Sequence, residues 1–194
     1  MDSGLILAST SPRRIDILNK LDIKFEVISS NVDESVPDIY SLDIPLKLSY
    51  EKAYSVSLKH LDRIVAGFDT VVVFNENVYG KPVNTAEAES FLLEFSGKTH
   101  SIITGVSIIF LSKNIFCCFA ESTFVKFKNI DLHTAREYCS RVNVLDKAGG
   151  YAIQEYGDML VESVYGDIDN VIGLPIKRFM ESLTVVRNSL DVNA

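Results

Sequence analysis

Two β-rich runs, His100 to Leu111 and Ile115 to Phe127, flank the polar triplet Ser112-Lys113-Asn114, and no other feature limits the fold as tightly. Runs rich in Val, Ile, Phe and Thr with so short a break pair as neighbouring antiparallel strands. Each is about twice the usual strand length, so the hairpin they form predicts the spine of a long sheet.

The first part of the chain reads differently. Leu5-Ile6-Leu7-Ala8 is a short apolar run of the buried-strand kind, and Ser9-Thr10-Ser11-Pro12 follows at once. Ser11 suits a helix N-cap and Pro12 the first helical position. Ile15, Leu18 and Leu21 continue at helical spacing. A second short strand is expected over Phe25 to Ile28, then an acidic loop containing Pro37, then a helix from Pro45 carrying Leu46, Tyr50, Ala53 and Tyr54. Ile64 to Phe74 reads as a strong strand with a bend at Gly67, and Val78-Tyr79 returns beside it after the turn Asn75-Glu76-Asn77. Asn84 or Thr85 caps a helix over Ala86 to Phe95, ended by Gly97. Beyond the hairpin the pattern predicts a helix over Leu132 to Val142 and short strands at Ala152-Ile153 and Met159 to Val164. A last helix is expected from Pro175 to about Leu183, with a frayed tail. Alternating strands and helices followed by a hairpin predict an α/β or α+β domain with a mixed sheet and flanking helices.

Composition narrows the function. The net charge is −7 and neither half of the chain is basic, which argues against a broad nucleic-acid surface. No apolar run reaches membrane-spanning length: Thr104, Gly105 and Ser107 break the stretch from Ile102 to Leu111. The opening MDSGLILAST carries an acid where a secretory signal needs a basic region. The three cysteines include the adjacent pair Cys117-Cys118 and no CxxC, so neither a disulfide framework nor a zinc site is indicated. These features favour a cytoplasmic protein with no membrane and no nucleic-acid partner. With no repeat and no linker, the 194 residues fit one large domain, or one domain with two lobes.

Several segments could carry chemistry. Ser9-Thr10-Ser11-Pro12-Arg13-Arg14 lies where a strand hands over to a helix, and the free N–H groups there favour an anion. Two arginines in the first turn oppose the helix dipole, which makes sense if a phosphate sits between them; the plain alternative is an ordinary cap with solvated arginines. Asp69 stands inside the apolar strand Val65 to Val73, where an acid is expensive unless it is paired, metal-bound or in a cleft. Asp33-Glu34 offers hard oxygen ligands suited to Mg²⁺, or simply a solvated loop. Lys52, Lys81 and Lys98 are each weak signals, although Gly80-Lys81-Pro82 fixes the direction of one. The stretch Asp146 to Gln154 holds a Gly pair that permits close backbone approach, and Gln154 has both a donor and an acceptor to offer a base edge. The three histidines have no acid or Cys partner at telling spacing, and no HExxH, GxSxG or Walker lysine motif occurs.

Taken in order, these segments resemble one family. Leu7-Ala8-Ser9-Thr10-Ser11-Pro12-Arg13-Arg14, Val32-Asp33-Glu34, Glu51-Lys52-Ala53, Asp69-Thr70-Val71-Val72, Gly80-Lys81-Pro82, Ser96-Gly97-Lys98-Thr99-His100, Thr104-Gly105-Val106, Asp146 to Gln154 and Asn170-Val171-Ile172-Gly173-Leu174-Pro175 are similar to the motifs of the Maf nucleotide pyrophosphatases. Any one motif is weak; the ordered set runs from about residue 5 to residue 183, nearly the whole chain, and implies a single domain over residues 1–194 with its core in that span. The resemblance implies a fold akin to inosine triphosphate pyrophosphatases, two lobes around a long sheet and a central cleft. It implies hydrolysis of a nucleoside triphosphate to the monophosphate and pyrophosphate with Mg²⁺ or Mn²⁺, in a homodimer. Asp69-Thr70 and Tyr151-Ala152-Ile153-Gln154 look like the branch that acts on dTTP and UTP. Phe68 departs from the family's usual Ala and is expected to add bulk beside the site and alter base fit.

On that resemblance Asp69, Lys52, Lys81 and Glu34 are the catalytic set, with Glu34 and Asp69 holding the metal. The substrate-binding set is Ser9, Ser11, Arg13, Arg14, Thr70 and Gln154: Arg13, Arg14, Lys52 and Lys81 would grip the phosphates with the N–H groups after Ser9, Arg13 is also at a specificity position, and Thr70 and Gln154 face the pyrimidine. Two rival readings remain: a 7-methyl-GTP or broad-specificity pyrophosphatase, and a non-catalytic nucleotide-binding regulator of septum formation.

Overall fold

The computed structural model describes residues 4–32 and 43–191. The long hairpin is its spine. Strand β5 (Thr99–Phe110) and β6 (Ile115–Phe127) pair without interruption from Thr99↔Lys126 to Phe110↔Ile115. A short helical turn, Leu111–Lys113, joins them, and Asn114 closes it in the left-handed region at φ 54°, a conformation asparagine tolerates.

Around that hairpin lies one seven-stranded sheet. Its order is β2 (Phe25–Val27), β1 (Leu5–Leu7), β3 (Ile64–Phe74), β5, β6 and β7 (Val161–Tyr165), with β4 (Asn77–Tyr79) also paired to β3. Strand β1 is parallel to both β2 and β3, and all other pairings are antiparallel. The sheet is therefore mixed, as expected, with helices α1 (Pro12–Lys20), α2 (Asp43–Ser57), α3 (Thr85–Phe95), α4 (Leu132–Arg141), α5 (Ile168–Ile172) and α6 (Ile176–Asp191) around it.

Apolar packing falls into three clusters. One lies under α1 and α6 and includes Leu7, Ala66, Phe68, Val106 and Phe179. A second lies under α3 and α4, with Phe95, Ile102, Phe127 and Tyr138. A third, including Ile6, Val65, Ile109 and Ala53, lies beneath α2.

The path of the chain positions the site. From β1 it moves to β2 on one side, then through α2 to β3 on the other. The order thus reverses at β1, and in open α/β sheets ligands bind beyond the carboxyl ends of the strands at such a point. Here the opening is literal. Strand β1 pairs with only Ile64–Ala66 of β3, the Ala8 N–H adds one bond to the Ala66 carbonyl, and β4 pairs with only Val72–Phe74. Between them residues 67–71 of β3 have no strand on that edge among the described residues.

Several expectations are corrected. Ala152-Ile153 is not a strand: the Tyr138 hydroxyl accepts from the Ala152 N–H at 2.9 Å and donates to its carbonyl at 3.2 Å, so a side chain replaces the ladder. Helix α6 runs on to Asp191, because Phe179, Leu183 and Val186 keep one buried stripe at helical spacing. Helix α5 was not foreseen; the Asp167 carboxylate caps it by accepting from the Asp169 N–H. Gly67 makes no bend but lies within the regular pairing of β3 with β5.

Candidate active site

The gap in the edge of β3 opens into a cavity of about 740 Å³. Because side chains alternate along a strand, β3 offers this cavity two different faces.

The face carrying Asp69 packs on α2. Helix and sheet come unusually close there because two facing positions are glycine. A Cβ at Gly67 would lie 2.2 Å from the Ser49 carbonyl oxygen, and one at Gly105 would lie 2.1 Å from that of Pro45. The Ser49 and Ser107 hydroxyls share a hydrogen bond of 2.9 Å across the same contact. Lys52 on α2 is thereby held against the strand, and its Nζ donates to Asp69 Oδ1 at 2.8 Å. Lys52 is 4% and Asp69 8% exposed, so the pair is desolvated and each charge depends on the other. The second carboxylate oxygen makes no hydrogen bond among the described residues, and Asp69 lines the cavity.

The opposite face carries Thr70 and receives Arg14 from the first turn of α1. Ser11 takes the N-cap position and Pro12 the first helical one, as expected, although the Ser11 side chain makes no capping bond. Arg14 is buried, and its guanidinium is held at several points. Nε donates to the Gly173 carbonyl at 2.9 Å, Nη2 to Thr70 Oγ1 at 2.9 Å, and Nη1 to Ser9 Oγ at 3.2 Å and to the Phe68 carbonyl at 3.4 Å. The guanidinium also lies over the Phe68 ring, 5.5 Å from its centre. Phe68 itself is fully buried, 5.3 Å from the ring of Phe179. Its bulk therefore stands beside the site, where it supports Arg14 from the core.

The far wall is the segment from Asp146 to Glu155. Lys147, 3% exposed, ties this wall together: its Nζ donates to the Asn143 carbonyl at 2.7 Å and to Asp146 Oδ1 at 2.8 Å, and pairs with Glu155 Oε1 at 3.1 Å. Arg13 Nη2 reaches the Asp146 carbonyl at 3.4 Å. Tyr151 also lines the cavity, and its hydroxyl meets His100 Nε2 at 2.6 Å. His100 sits among Phe95, Phe127 and Tyr151. Burial pushes its imidazole down to about 3 and the Tyr151 phenol well up.

Ser9, Ser11, Arg13, Arg14, Lys52, Asp69, Thr70 and Lys81 all line this one cavity. Gln154 does not: it is exposed, whereas its neighbours Ile153 and Glu155 turn inward. Lys98 lies elsewhere, its Nζ over the ring of Phe74 at 5.3 Å. Asp33 and Glu34 fall outside the described residues. The reading by residue type missed Lys147, Tyr151 and His100. Lys147 was visible only as part of a glycine-bearing turn, and the His100–Tyr151 pair spans 51 residues, so no local spacing announces it.

A divalent metal needs several oxygen ligands. Among the described residues no three His, Cys, Asp or Glu side chains come together. Asp69 supplies one carboxylate, with one oxygen already on Lys52. The described residues alone therefore do not make a metal site.

A family model described as "Maf-like protein" matches residues 4–186. A Thermosipho africanus protein named dTTP/UTP pyrophosphatase is 45% identical over 179 residues, covering 92% of this chain and 91% of its own length. A Bacillus mycoides protein of the same name is 40% identical over 180 residues, covering 92% and 93%. A solved Staphylococcus aureus Ham1 protein aligns at 14% identity with a TM-score of 0.44 over 98% of this chain and 100% of that one. That likeness carries no argument, and the α/β assignment rests on the sheet itself.

Proposed function

The chain belongs to the Maf family, and from that premise we propose that it hydrolyses dTTP and UTP to the monophosphate and pyrophosphate. What supports this is one juxtaposition: a buried Lys52–Asp69 pair opens onto the same cavity as Arg13, Arg14, Lys81 and the N-terminus of α1. The relatives' names supply the nucleotides.

In this reading the triphosphate lies against the first turn of α1, where backbone N–H groups and the helix dipole meet negative charge. Arg13 and Lys81 hold the phosphate oxygens, and Arg14, anchored on Gly173 and Thr70, presents an already fixed guanidinium. Asp69 accepts a hydrogen bond from water and takes its proton as the oxygen attacks the α-phosphorus. The α-phosphorus bond to the bridging oxygen breaks, and pyrophosphate leaves with the electron pair. Lys52 keeps the carboxylate oriented. The cations offset the charge that develops on the leaving group. Thr70 faces the base; Gln154 is given no contact.

Mg²⁺ or Mn²⁺ belongs to the proposal, with Asp69 and Glu34 as ligands and phosphate charge neutralisation as the chemistry it would supply. No step above is routed through it. A cytoplasmic homodimer is proposed likewise; no helix among the described residues is long and apolar enough to cross a membrane.

The test is pyrophosphate release from dTTP, UTP, CTP, GTP and 7-methyl-GTP, with Mg²⁺, with Mn²⁺ and with EDTA. Activity on dTTP and UTP is expected, and Asp69→Asn should lower kcat about 10²- to 10⁴-fold, the share a positioned base contributes. Near-normal turnover by Asp69→Asn would remove its role. Turnover mainly of 7-methyl-GTP would remove the substrate assignment, and undiminished activity in EDTA the metal.

A further inference from the structure

A line of buried hydrogen bonds leaves the cavity behind Thr70 and crosses the sheet. Arg14 Nη2 donates to Thr70 Oγ1 at 2.9 Å. Thr70 Oγ1 lies 3.0 Å from Thr104 Oγ1 on β5, the residue directly opposite it in register. Thr104 Oγ1 in turn lies 3.4 Å from the carbonyl of Asn170 on α5. Thr104 and Asn170 are fully buried.

The two ends of this line favour one direction for its protons. A guanidinium can only donate, and a carbonyl can only accept. Either threonine could donate across the Thr70–Thr104 contact; the direction in which Thr104 gives its proton to Asn170 and Thr70 gives its own to Thr104 leaves every contact of the line with a proton. In the reverse direction the Thr104–Asn170 contact would lack a proton, and the Thr70 proton would turn to the cavity, with no acceptor among the described residues. The terminal carbonyl also accepts from the Gly173 N–H at 3.0 Å, and the Asn170 side chain is held firmly. Asn170 Nδ2 donates to the Ile102 carbonyl and to Thr123 Oγ1, each at 3.1 Å, and the Thr123 hydroxyl donates to the Asp167 carbonyl at 2.9 Å.

A hydroxyl has one proton and two lone pairs. At Thr70 the proton goes to Thr104 and one lone pair takes Arg14, so what is left towards the cavity is a single lone pair. We propose that Thr104 is a positioning residue that sets the proton direction at Thr70. Thr70 then presents an acceptor to the base and selects a pyrimidine bearing a ring N–H over one bearing a bare ring nitrogen. This rests on the proposed function, and it deepens that reading by giving the uracil and thymine preference a cause. Uracil and thymine carry N3–H and would donate to the lone pair. Cytosine carries a bare N3, and two lone pairs would face each other across a buried contact, which leaves polar groups unpaired.

The experiment compares kcat/KM for UTP, dTTP and CTP in the wild type, Thr104→Val and Thr104→Ser. Valine keeps the shape and removes the acceptor, so the Thr70 proton is released towards the cavity. The CTP:UTP ratio of kcat/KM should rise about tenfold, the scale of one hydrogen bond made or lost. Serine keeps the hydroxyl and should keep the wild-type ratio. Thr104→Ala, which also lacks the hydroxyl, is read beside Thr104→Val so that poor folding of one variant does not decide the result. Equal losses on UTP and CTP in both variants would overturn the proposal, since a merely structural role moves the two substrates together. So would a ratio altered as much by serine as by valine. A wild type that preferred UTP while these ratios stayed fixed would leave the proposed function standing and this inference refuted. A wild type that released pyrophosphate from no nucleotide would refute both.

Discussion

Asp69 and Thr70 are consecutive residues of one strand, and the two faces they occupy are built on different principles. Asp69 points to α2 and meets a full opposite charge, Lys52, at 2.8 Å. Thr70 points to the α1 side and joins a line of hydrogen bonds that runs from Arg14 to Asn170. Strand alternation brings both into one cavity without letting them touch. The difference teaches how each face should fail. An ion pair out of water is all-or-none, because losing one partner strands the other. A chain of neutral hydroxyls can lose a link and still pack, so its failure shows in which ligand is preferred.

The largest effect should come from breaking the charged face. Lys52→Met leaves Asp69 buried without its cation, and about 3–5 kcal/mol of stability should be lost, as is usual when one partner of a buried pair is removed. Pyrophosphate release should collapse as well. The double variant Lys52→Met/Asp69→Leu should regain most of that stability and none of the activity. Chemical denaturation of wild type, single and double variants checks this. A single variant as stable as wild type would show that the pair is not desolvated as its burial indicates.

The next effect acts on the same face without touching a charge. A methyl at Gly105 would meet backbone atoms, the Pro45 carbonyl oxygen at 2.1 Å and the Leu46 nitrogen at 2.6 Å. Backbone cannot rotate away as a side chain does, so Gly105→Ala should cost about 1–3 kcal/mol by overpacking. It should also lift α2, and Lys52 with it, from the sheet. The readouts are the thermal midpoint and kcat for UTP. If kcat falls while the CTP:UTP ratio holds, the two faces are separable; a change in the ratio would show that α2 also shapes the Thr70 side.

Much of this architecture was legible because its signals are local. The β5–β6 hairpin, the Ser11-Pro12 start of α1 and the limits of β3 follow from apolar runs and their punctuation. Asp69 stood out because an acid in an apolar strand demands a reason. Other features were hidden because their causes lie far along the chain. Gly67 looked like a bend, yet it is the contact surface for a helix that precedes it. Thr104 is an ordinary β-former in sequence, and its partners lie 34 and 66 residues away. Ala152-Ile153 reads as a strand, but the Tyr138 hydroxyl takes the backbone of Ala152, and Gln154, two residues on, is exposed.

pH gives the mildest and most selective probe of the Thr70 side. That side continues along the sheet to His100, which supports Tyr151 at the cavity wall. Burial holds the His100 imidazole at about 3, against 6.5 for an ordinary histidine. Between those values the unfolded chain binds a proton that the folded chain does not, so stability must fall as pH drops through this window. The slope is about 1.4 kcal/mol per pH unit, so roughly that much is gone one unit below 6.5. The charged face contributes equally to the wild type and to His100→Gln, so the difference between their profiles isolates the histidine. Glutamine keeps a hydrogen-bonding group near the Tyr151 hydroxyl and does not titrate. Denaturation midpoints from pH 7 to 4.5 should therefore fall more steeply in the wild type than in the variant. Parallel profiles would mean that His100 takes up its proton in the folded state, and that the aromatic cage around it opens to water.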